Sequence, residues 1–314
     1  MTDAADDAVI FADGLTRRFG AVEAVRDVNL TIRRGEIFGL IGPDGAGKTT
    51  IMRMLAGVLS PDAGRIRLDG IDMVADPEQA RSRISYMPQR FGLYEDLTVA
   101  ENLYFYAEMF AVPRKRRLQD GQSLLEAGGL APFRRRLAGQ LSGGMKQKLG
   151  LVCALIHAPR FLLLDEPTTG IDPVSRRDFW AILYKLRETG VTVVFSTAYM
   201  DEAERCSRLL LLHAGKVQRC DTPARLKEAM PGRLMRVSAD DLRRVRDAVM
   251  DMPGILGVLV MGDHVNVRVD SAERIRDLRI RLESCGIAQL TVAPIEPTIE
   301  DVFVALLSPP KEHA

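Results

Sequence analysis

The sequence predicts an α/β protein with a parallel-sheet core, followed by a smaller α+β segment. Three observations lead to this prediction. A short apolar run, Glu36 to Ile41, precedes a glycine-rich loop, and a good helix-forming segment follows that loop. Further strand-sized apolar runs alternate with helical patterns up to about residue 228, which is typical of a parallel sheet covered by helices. Beyond Pro231 the pattern becomes strand, helix, strand, strand, helix, strand, the ferredoxin-like order.

Length and composition limit the possible functions. The 314 residues suit two domains of ordinary size, and 46% hydrophobic with 27% charged residues is the composition of a globular protein. The formal net charge of +1 gives no electrostatic reason to expect nucleic acid as the main partner. None of the four cysteines forms a CxxC pair, so we expect reduced thiols in a cytosolic protein.

The sequence shows no sign of a membrane-spanning or exported chain. The N-terminal stretch MTDAADDAV is acidic and lacks the basic and apolar regions of a signal peptide. No apolar run reaches the roughly 18 residues that a membrane span requires. If the protein works at a membrane, we expect another chain to supply the spans.

Several strands are predicted around the glycine-rich loop. Val9 to Leu15 reads as a strand, and Val25 to Ile32 does so because apolar and polar residues alternate along it. The helix after the loop is expected to end near Gly57. The turn cluster SPDAG then leads into an edge strand, Arg65 to Leu68, and Ile84 to Met87 forms a further short strand.

The composition then shifts to a helical block, about residues 92–158. Its first helix carries apolar residues at helical spacing, with Thr98 as the N-cap and Glu101 three residues later. We interpret the basic run Pro113 to Arg117 as the solvated start of a helix, and favour this role over a contact with lipid headgroups. We therefore predict a helical insertion in the α/β domain.

Strands and helices alternate again after the insertion. Phe161 to Leu164 is a fully apolar strand, and a helix from Pro173 to Glu188 follows it. Val191 to Ser196 and Leu209 to Leu212 are two further buried strands. A domain of residues 1–228 is predicted from this pattern, with a separate domain over 229–314.

The glycine-rich loop has the pattern of a phosphate-binding loop, GxxxxGKT. It consists of Gly42, Pro43, Asp44, Gly45, Ala46, Gly47, Lys48, Thr49 and Thr50. Glycines let the backbone approach phosphate oxygens, and successive N–H groups at a helix N-terminus face the anion. Lys48 is predicted to reach the β- and γ-phosphates, and the Thr49 hydroxyl to ligate Mg²⁺. The alternative is a glycine-rich turn with an exposed lysine.

Two carboxylates end the apolar strand LLLDE. Because magnesium must be held beside the phosphates, Asp165 is predicted to support the metal. Glu166 is predicted to polarise an attacking water as a general base. The alternative is a pair of solvated acids at a strand end.

A second anion-binding turn is predicted at LSGGMKQ. Ser142, Gly143 and Gly144 precede a helix, so their backbone N–H groups can face an anion. One chain with two such turns and one carboxylate pair poses a geometric problem. Head-to-tail dimerisation would solve it, with each Ser-Gly-Gly turn closing over the nucleotide of the partner.

The motifs GPDGAGKTT, LSGGMKQ and LLLDEP, in this order, resemble those of the ATP-binding cassette (ABC) ATPases over roughly residues 8–228. The resemblance implies a P-loop NTPase fold, ATP and Mg²⁺ as cofactors, and a second ABC subunit as a partner. It implies that Phe19 stacks on adenine, with core filling as the alternative. Gln89 would sense Mg²⁺ and the attacking water, and Asp172 would communicate across the dimer. The implied catalytic set is Glu166, Gln89 and Lys48, and the implied metal set is Thr49, Gln89 and Asp165.

The resemblance also implies a coupling surface for a membrane subunit. The segment Arg90 to Asp96, after Gln89, matches the groove that receives a coupling helix. Its aromatic residues, Phe91 and Tyr94, could instead belong to the core.

Two residues depart from the family pattern. Asp44 stands where the family usually has asparagine, and an added carboxylate near phosphates should repel them unless it is paired or faces away. Ala198, in STAYMDEAE, stands where the family has a histidine that contacts the γ-phosphate. Because alanine offers no side-chain hydrogen bond, we expect attenuated hydrolysis at this site.

Within the family, YMDEAE and the tail EPTIEDVF are similar to drug- and polyketide-exporter ATPases. Those work with separate ABC-2 type permeases, so we expect a protein at the inner face of the plasma membrane. A heterodimer with a complete ABC subunit is favoured over a homodimer. The alternative function is a largely non-hydrolytic regulatory module. A soluble superfamily member in DNA repair or translation is opposed by the absence of heptads and of basic excess.

Overall fold

The computed structural model describes residues 7–90, 92–287 and 289–307. The chain divides into two compact units, the first ending at Thr222 and the second beginning at Pro223. Each unit has its own hydrophobic core.

The first unit contains ten strands within the described residues. They are β1 (Ala8–Phe19), β2 (Val22–Arg33), β3 (Ile37–Ile41), β4 (Ala63–Leu68), β5 (Ile71–Asp72), β6 (Ile84–Met87), β7 (Phe161–Asp165), β8 (Thr192–Thr197), β9 (Arg208–His213) and β10 (Lys216–Asp221). β1, β2, β4 and β5 form an antiparallel sheet in the order β2-β1-β4-β5. β1 continues to Phe19, beyond its predicted end at Leu15, because it stays paired with β2 up to Val22.

The second sheet of this unit is the predicted parallel core. Its strand order is β10-β9-β3-β8-β7-β6, with every pair parallel except β10 and β9. β3, β7 and β8 are buried along their full lengths, which explains why most of their residues are apolar. The carboxyl ends of β3 and β7 lead directly into Gly42 and Glu166. In open α/β sheets, ligands bind at this edge.

Seven α-helices accompany these sheets in the described part of the unit. They are α1 (Lys48–Leu55), α2 (Pro77–Arg81), α3 (Val99–Met109), α4 (Arg114–Ala127), α5 (Gly143–Leu155), α6 (Pro173–Glu188) and α7 (Met200–Ala203). α3, α4 and α5 share a separate apolar cluster, so the predicted helical insertion has its own small core. Thr98 and Glu101 form the predicted capping box at the start of α3.

The second unit has the predicted order of elements from its first strand onward. It consists of α8 (Pro223–Glu228), β11 (Arg233–Ser238), α9 (Leu242–Val249), β12 (Ile255–Val260), β13 (Val265–Val269), α10 (Arg274–Ser284), β14 (Thr291–Ile295) and α11 (Ile299–Leu307). The sheet is antiparallel with the order β12-β13-β11-β14. Inward residues of these strands pack against the apolar faces of α9 and α10 to form the core of the unit.

Candidate functional site

Two glycines in the loop between β3 and α1 occupy positions where a side chain would collide with neighbouring backbone atoms. A Cβ atom on Gly42 would lie 2.2 Å from the carbonyl oxygen of Leu212. Gly47 has φ 104°, and a Cβ atom there would lie 2.5 Å from the carbonyl oxygen of Ala24. Both positions therefore exclude larger residues, and the backbone turns tightly into the N-terminus of α1.

Lys48 is buried at the base of this loop. Its Nζ donates to the carbonyl oxygens of Gly42 at 2.9 Å and Pro43 at 3.1 Å. The same atom lies 3.0 Å from Oε1 of Glu166, and its side chain is 3% exposed. The alternative of an exposed lysine in a glycine-rich turn is therefore wrong.

Asp165 lies at the end of β7 and accepts three side-chain hydrogen bonds. Oδ1 accepts from the hydroxyls of Thr49 at 3.1 Å and Ser196 at 2.7 Å, and Oδ2 accepts from Tyr86 at 3.2 Å. Burial and the Asp165 carboxylate raise the pKa of Tyr86 to about 12, so its phenol stays a donor. Asp165 is only 1% exposed, so it is not a solvated acid.

Thr49 and Asp165 provide a suitable pair of ligands for magnesium. A hydroxyl oxygen and a carboxylate oxygen are hard ligands of the kind that Mg²⁺ prefers, and they lie 3.1 Å apart. The predicted metal residues Thr49 and Asp165 are thus brought together. Gln89 lies near the same edge but contacts Glu166 instead.

Glu166 is held by contacts at both side-chain oxygens and at its backbone. Oε1 pairs with Lys48, and Oε2 accepts from Nε2 of Gln89 at 3.1 Å. Its backbone has φ 50°, and its N–H donates to Oγ of Ser196 at 3.0 Å. A non-glycine residue at positive φ costs on the order of 1–3 kcal/mol and is retained where the surroundings impose it. This turn directs the Glu166 carboxylate to Lys48.

A cleft of about 480 Å³ lies beside the glycine-rich loop, Gln89 and Glu166. The cleft is lined by Asp44, Gly45, Ala46, Gly47, Lys48, Thr49, Gln89, Glu166, Thr169, Ala198 and Tyr199. Thr169 and Tyr199 were not predicted from the sequence, although each flanks a predicted motif. Asp44 is exposed and has no hydrogen bond or ion pair with another described residue.

The Ser-Gly-Gly turn lies apart from this cleft lining. Ser142 caps α5, because its Oγ accepts from the N–H of Met145 at 3.3 Å. A Cβ atom on Gly144 would lie 2.3 Å from Oγ of Ser175, so this turn packs tightly against the start of α6. Asp172 caps α6 by accepting from the N–H groups of Val174 and Ser175, and these bonds, chiefly that of Ser175, lower the pKa of Asp172.

Two aromatic residues predicted from the resemblance are on the surface. Phe19 is 48% exposed, with the guanidinium of Arg17 5.1 Å from its ring centroid, so it does not fill the core. Tyr94 is also 48% exposed, and its ring meets that of Phe105 edge-on at 4.5 Å. The core alternative is wrong for both, while Phe91 lies outside the described residues.

The segment after β8 forms one wall of the cleft. Ala198 and Tyr199 line it, and Oγ1 of Thr197 accepts from the N–H of Tyr199 at 2.9 Å. The Tyr199 ring lies 4.6 Å from the guanidinium of Arg176 on α6.

Over the described ranges 7–90, 92–287 and 289–307, none of the helices could cross a membrane, being too short or too polar.

Comparisons with known proteins agree with the motifs. The family model described as ABC transporter matches residues 25–169. The chain is 42% identical over 306 residues to the probable multidrug ABC transporter ATP-binding protein YbhF of Escherichia coli K12, covering 96% of this chain and 52% of that protein. This chain thus spans about half the length of that curated relative.

Other relatives match along nearly their whole length. Daunorubicin resistance ATP-binding protein DrrA3 of Streptomyces coeruleorubidus is 35% identical over 304 residues, 96% of each chain. Nod factor export ATP-binding protein I of Rhizobium sp. N33 is 35% identical, covering 93% of this chain and 95% of that protein. Among solved structures, the dimeric bacterial ABC transporter cassette MJ0796 is 28% identical with a TM-score of 0.63, covering 68% of this chain and 98% of that one.

Proposed function

Because this chain belongs to the ABC transporter ATP-binding proteins, we propose that it binds Mg-ATP in the described cleft and hydrolyses it to drive export through a separate membrane subunit. The observation that carries the proposal is the position of Lys48 and Glu166 at the phosphate loop, 3.0 Å apart. A lysine that can bind phosphates and a carboxylate that can activate water are the two groups that this reaction needs.

The first step is an exchange of partners at Lys48. Its ammonium group is paired with the Glu166 carboxylate and donates hydrogen bonds to two loop carbonyl groups. The β- and γ-phosphates of ATP carry more negative charge than one carboxylate, so they compete for Lys48 and release Glu166. Gln89 continues to donate to Glu166, which keeps the freed carboxylate at the same edge of the cleft.

The released Glu166 carboxylate then acts on water. It accepts a proton as the water oxygen attacks the γ-phosphorus, and the bond to the β-phosphate oxygen breaks to give ADP and phosphate. Thr49 and Asp165 are the residues that would hold Mg²⁺, with the side-chain oxygen of Gln89 as a further ligand while its Nε2 stays bonded to Glu166. The metal would neutralise charge on the phosphates. The hydroxyls of Ser196 and Tyr86 hold the Asp165 carboxylate in place for this role.

The experiment that tests the proposal is release of phosphate from ATP by the purified chain, with and without excess chelator. We expect saturable, magnesium-dependent release. A folded chain that neither binds ATP nor releases phosphate would contradict the proposal.

We further include a second ABC subunit and a permease in the proposal. Ser142, Gly143 and Gly144 are absent from the lining of this chain's own cleft, which is what head-to-tail dimerisation requires. The exposed rings of Tyr94 and Phe105 offer an apolar surface for the coupling element of an ABC-2 type permease. Such a complex would place this chain on the inner face of the plasma membrane, with a heterodimer favoured.

Ala198 supports an attenuated site. We expect Ala198→His to raise ATP turnover by roughly tenfold, since one added hydrogen bond to the γ-phosphate in the transition state is worth about 1.4 kcal/mol. Phosphate release at saturating ATP measures this change. The matched control is Ala127→His on the exposed face of α4, which should not change turnover. Equal turnover of wild type and Ala198→His would show that another group already compensates for Ala198.

Asp44 is expected to weaken the affinity of the cleft for Mg-ATP. We expect Asp44→Asn to bind Mg-ATP roughly fivefold more tightly, because removing an exposed carboxylate from a phosphate site relieves about 1 kcal/mol of repulsion. The gain should shrink as salt is raised, since exposed charges are screened. Titration of a fluorescent ATP analogue at two salt concentrations measures both effects, with the exposed Glu78→Gln as the control. Weaker binding by Asp44→Asn would contradict this account.

A regulatory module is the second candidate function. Ala198 favours it, because the cleft wall offers no side-chain donor at that position. The paired and positioned Glu166 opposes it. In this alternative the chain holds ATP and keeps a dimer closed, while the partner's site performs the hydrolysis.

A further inference from the structure

The segment after β8 contains a buried carboxylate with no part in the chemistry described above. Glu202 is 0% exposed. Its Oε2 accepts from the hydroxyls of Thr168 at 2.9 Å and Thr197 at 2.7 Å. Its Oε1 accepts from Nε1 of Trp180 at 3.1 Å. A buried carboxylate is stable only with such donors, so these bonds hold the surrounding segments together.

Each donor comes from a different segment. Thr168 precedes Thr169 of the cleft lining, on the loop that leaves Glu166. Thr197 ends β8, and its Oγ1 accepts from the N–H of Tyr199, so it belongs to the wall formed by the segment after β8. Trp180 lies on α6. Glu202 therefore joins two walls of the cleft to one helix.

The same helix reaches the Ser-Gly-Gly turn. Its N-cap residue Asp172 and Ser175 in its first turn pack against Gly144, where a Cβ atom would be 2.3 Å from Oγ of Ser175. A movement of α6 must therefore displace Ser142 to Gly144, because the two segments are closely packed with no space between them. The Glu202 cluster and this contact form one continuous path from the cleft to the turn.

One contact in the cluster is incomplete. Nε of Arg176 is buried without a hydrogen-bond partner and lies 3.8 Å from Oε1 of Glu202. A normal N–H to oxygen bond is about 2.9 Å, so a small shift of α6 or of the Glu202 segment would form it. The guanidinium of Arg176 already stacks on Tyr199 in the cleft wall and pairs with Asp201 at 3.3 Å. A second arrangement of the cluster, in which Nε of Arg176 donates to Glu202, thus requires only a small shift.

We infer that Glu202 is a positioning residue that transmits nucleotide binding in the cleft to α6 and so to the Ser-Gly-Gly turn. When phosphates displace Glu166 from Lys48, the two walls that carry Thr168 and Thr197 move with it. Glu202 passes this movement to Trp180 and Arg176. The inference rests on the proposed function, since it needs a nucleotide in the cleft.

The chain carries its own reporter for this movement. Trp180 is its one tryptophan, and the indole N–H is bonded directly to Glu202. Tryptophan emission should therefore respond to Mg-ATP. The Glu202→Gln variant keeps the size of the side chain but removes the charge that attracts Arg176 and the two hydroxyls.

The test compares calorimetric binding of Mg-ATP with the change in tryptophan emission. We expect the wild type to show an emission change that saturates at the calorimetric affinity. Glu202→Gln should bind Mg-ATP within about threefold of wild type but lose most of the emission change. Thr197→Val, a milder change, should lose part of it.

The matched control is Glu36→Gln. Glu36 is also buried and bonded, to the N–H of Arg33 at 2.7 Å and to Arg208 at 3.1 Å, but it lies at the opposite end of β3 from the loop. This variant should respond to Mg-ATP like the wild type. An unchanged emission response in Glu202→Gln, or none in a wild type that binds ATP, would overturn the inference. Absence of calorimetric binding in the wild type would instead overturn the proposed function and, with it, the inference.

Discussion

Replacing Lys48 with alanine is expected to weaken ATP binding by about 100-fold, close to 2.7 kcal/mol. The reason is that Lys48 is the buried cation at the base of the loop, 3% exposed, with its Nζ bonded to Gly42 and Pro43. Without it, the phosphates face Glu166 and Asp44 with no opposing charge from this part of the loop. Displacement of a fluorescent ATP analogue measures the loss.

The control for this variant is Lys185→Ala, which removes an exposed lysine from α6. It should leave the affinity unchanged. A melting experiment must accompany the titration, because Lys48→Ala removes the cation paired with the Glu166 carboxylate and leaves its bond to Gln89. A folded Lys48→Ala chain that binds ATP as tightly as the wild type would place the nucleotide outside this cleft.

Replacing Glu166 with glutamine is expected to lower ATP turnover at this site by about 100-fold or more while ATP stays bound. Glutamine retains the shape and can still bond to Gln89, but it cannot take a proton from water. It also no longer competes for Lys48, whose ion pair with Glu166 is 3.0 Å long, so ATP affinity should rise. Phosphate release and nucleotide affinity, both measured on the assembled complex, separate the two effects.

The Glu166→Gln result also distinguishes the two candidate functions. Loss of turnover supports an ATPase whose own site is active. If the assembled complex keeps its full turnover, this site does not hydrolyse ATP and the regulatory alternative holds. Glu188→Gln, at the exposed end of α6, is the matched control and should change neither quantity.

The fold was predictable where its signals are local. β3 and β7 are continuous apolar runs because both faces of the parallel sheet are covered, and this composition is visible in the sequence. The loop pattern identified Gly42 and Gly47 as important positions, and the structure shows contacts that exclude a side chain at each. The capping box at Thr98 and Glu101 is another local signal that was confirmed.

The contacts within the site were not predictable, because they join distant parts of the chain. The pair of Lys48 with Glu166 and the bond from Tyr86 to Asp165 depend on the order of strands in the parallel sheet. The positive φ of Glu166 is imposed by its bonds to Ser196 and leaves no trace in the sequence. Glu202 was likewise missed as a functional residue, since its donors come from three separate segments.

The most direct test of the central claim, that this cleft binds Mg-ATP, is a calorimetric titration of ATP into the purified chain with and without Mg²⁺. We predict one site per chain, with affinity that falls when Mg²⁺ is withheld, because Thr49 and Asp165 then have no cation to share with the phosphates. A chain that melts cooperatively, and is therefore folded, yet shows no binding heat at several temperatures would contradict the account.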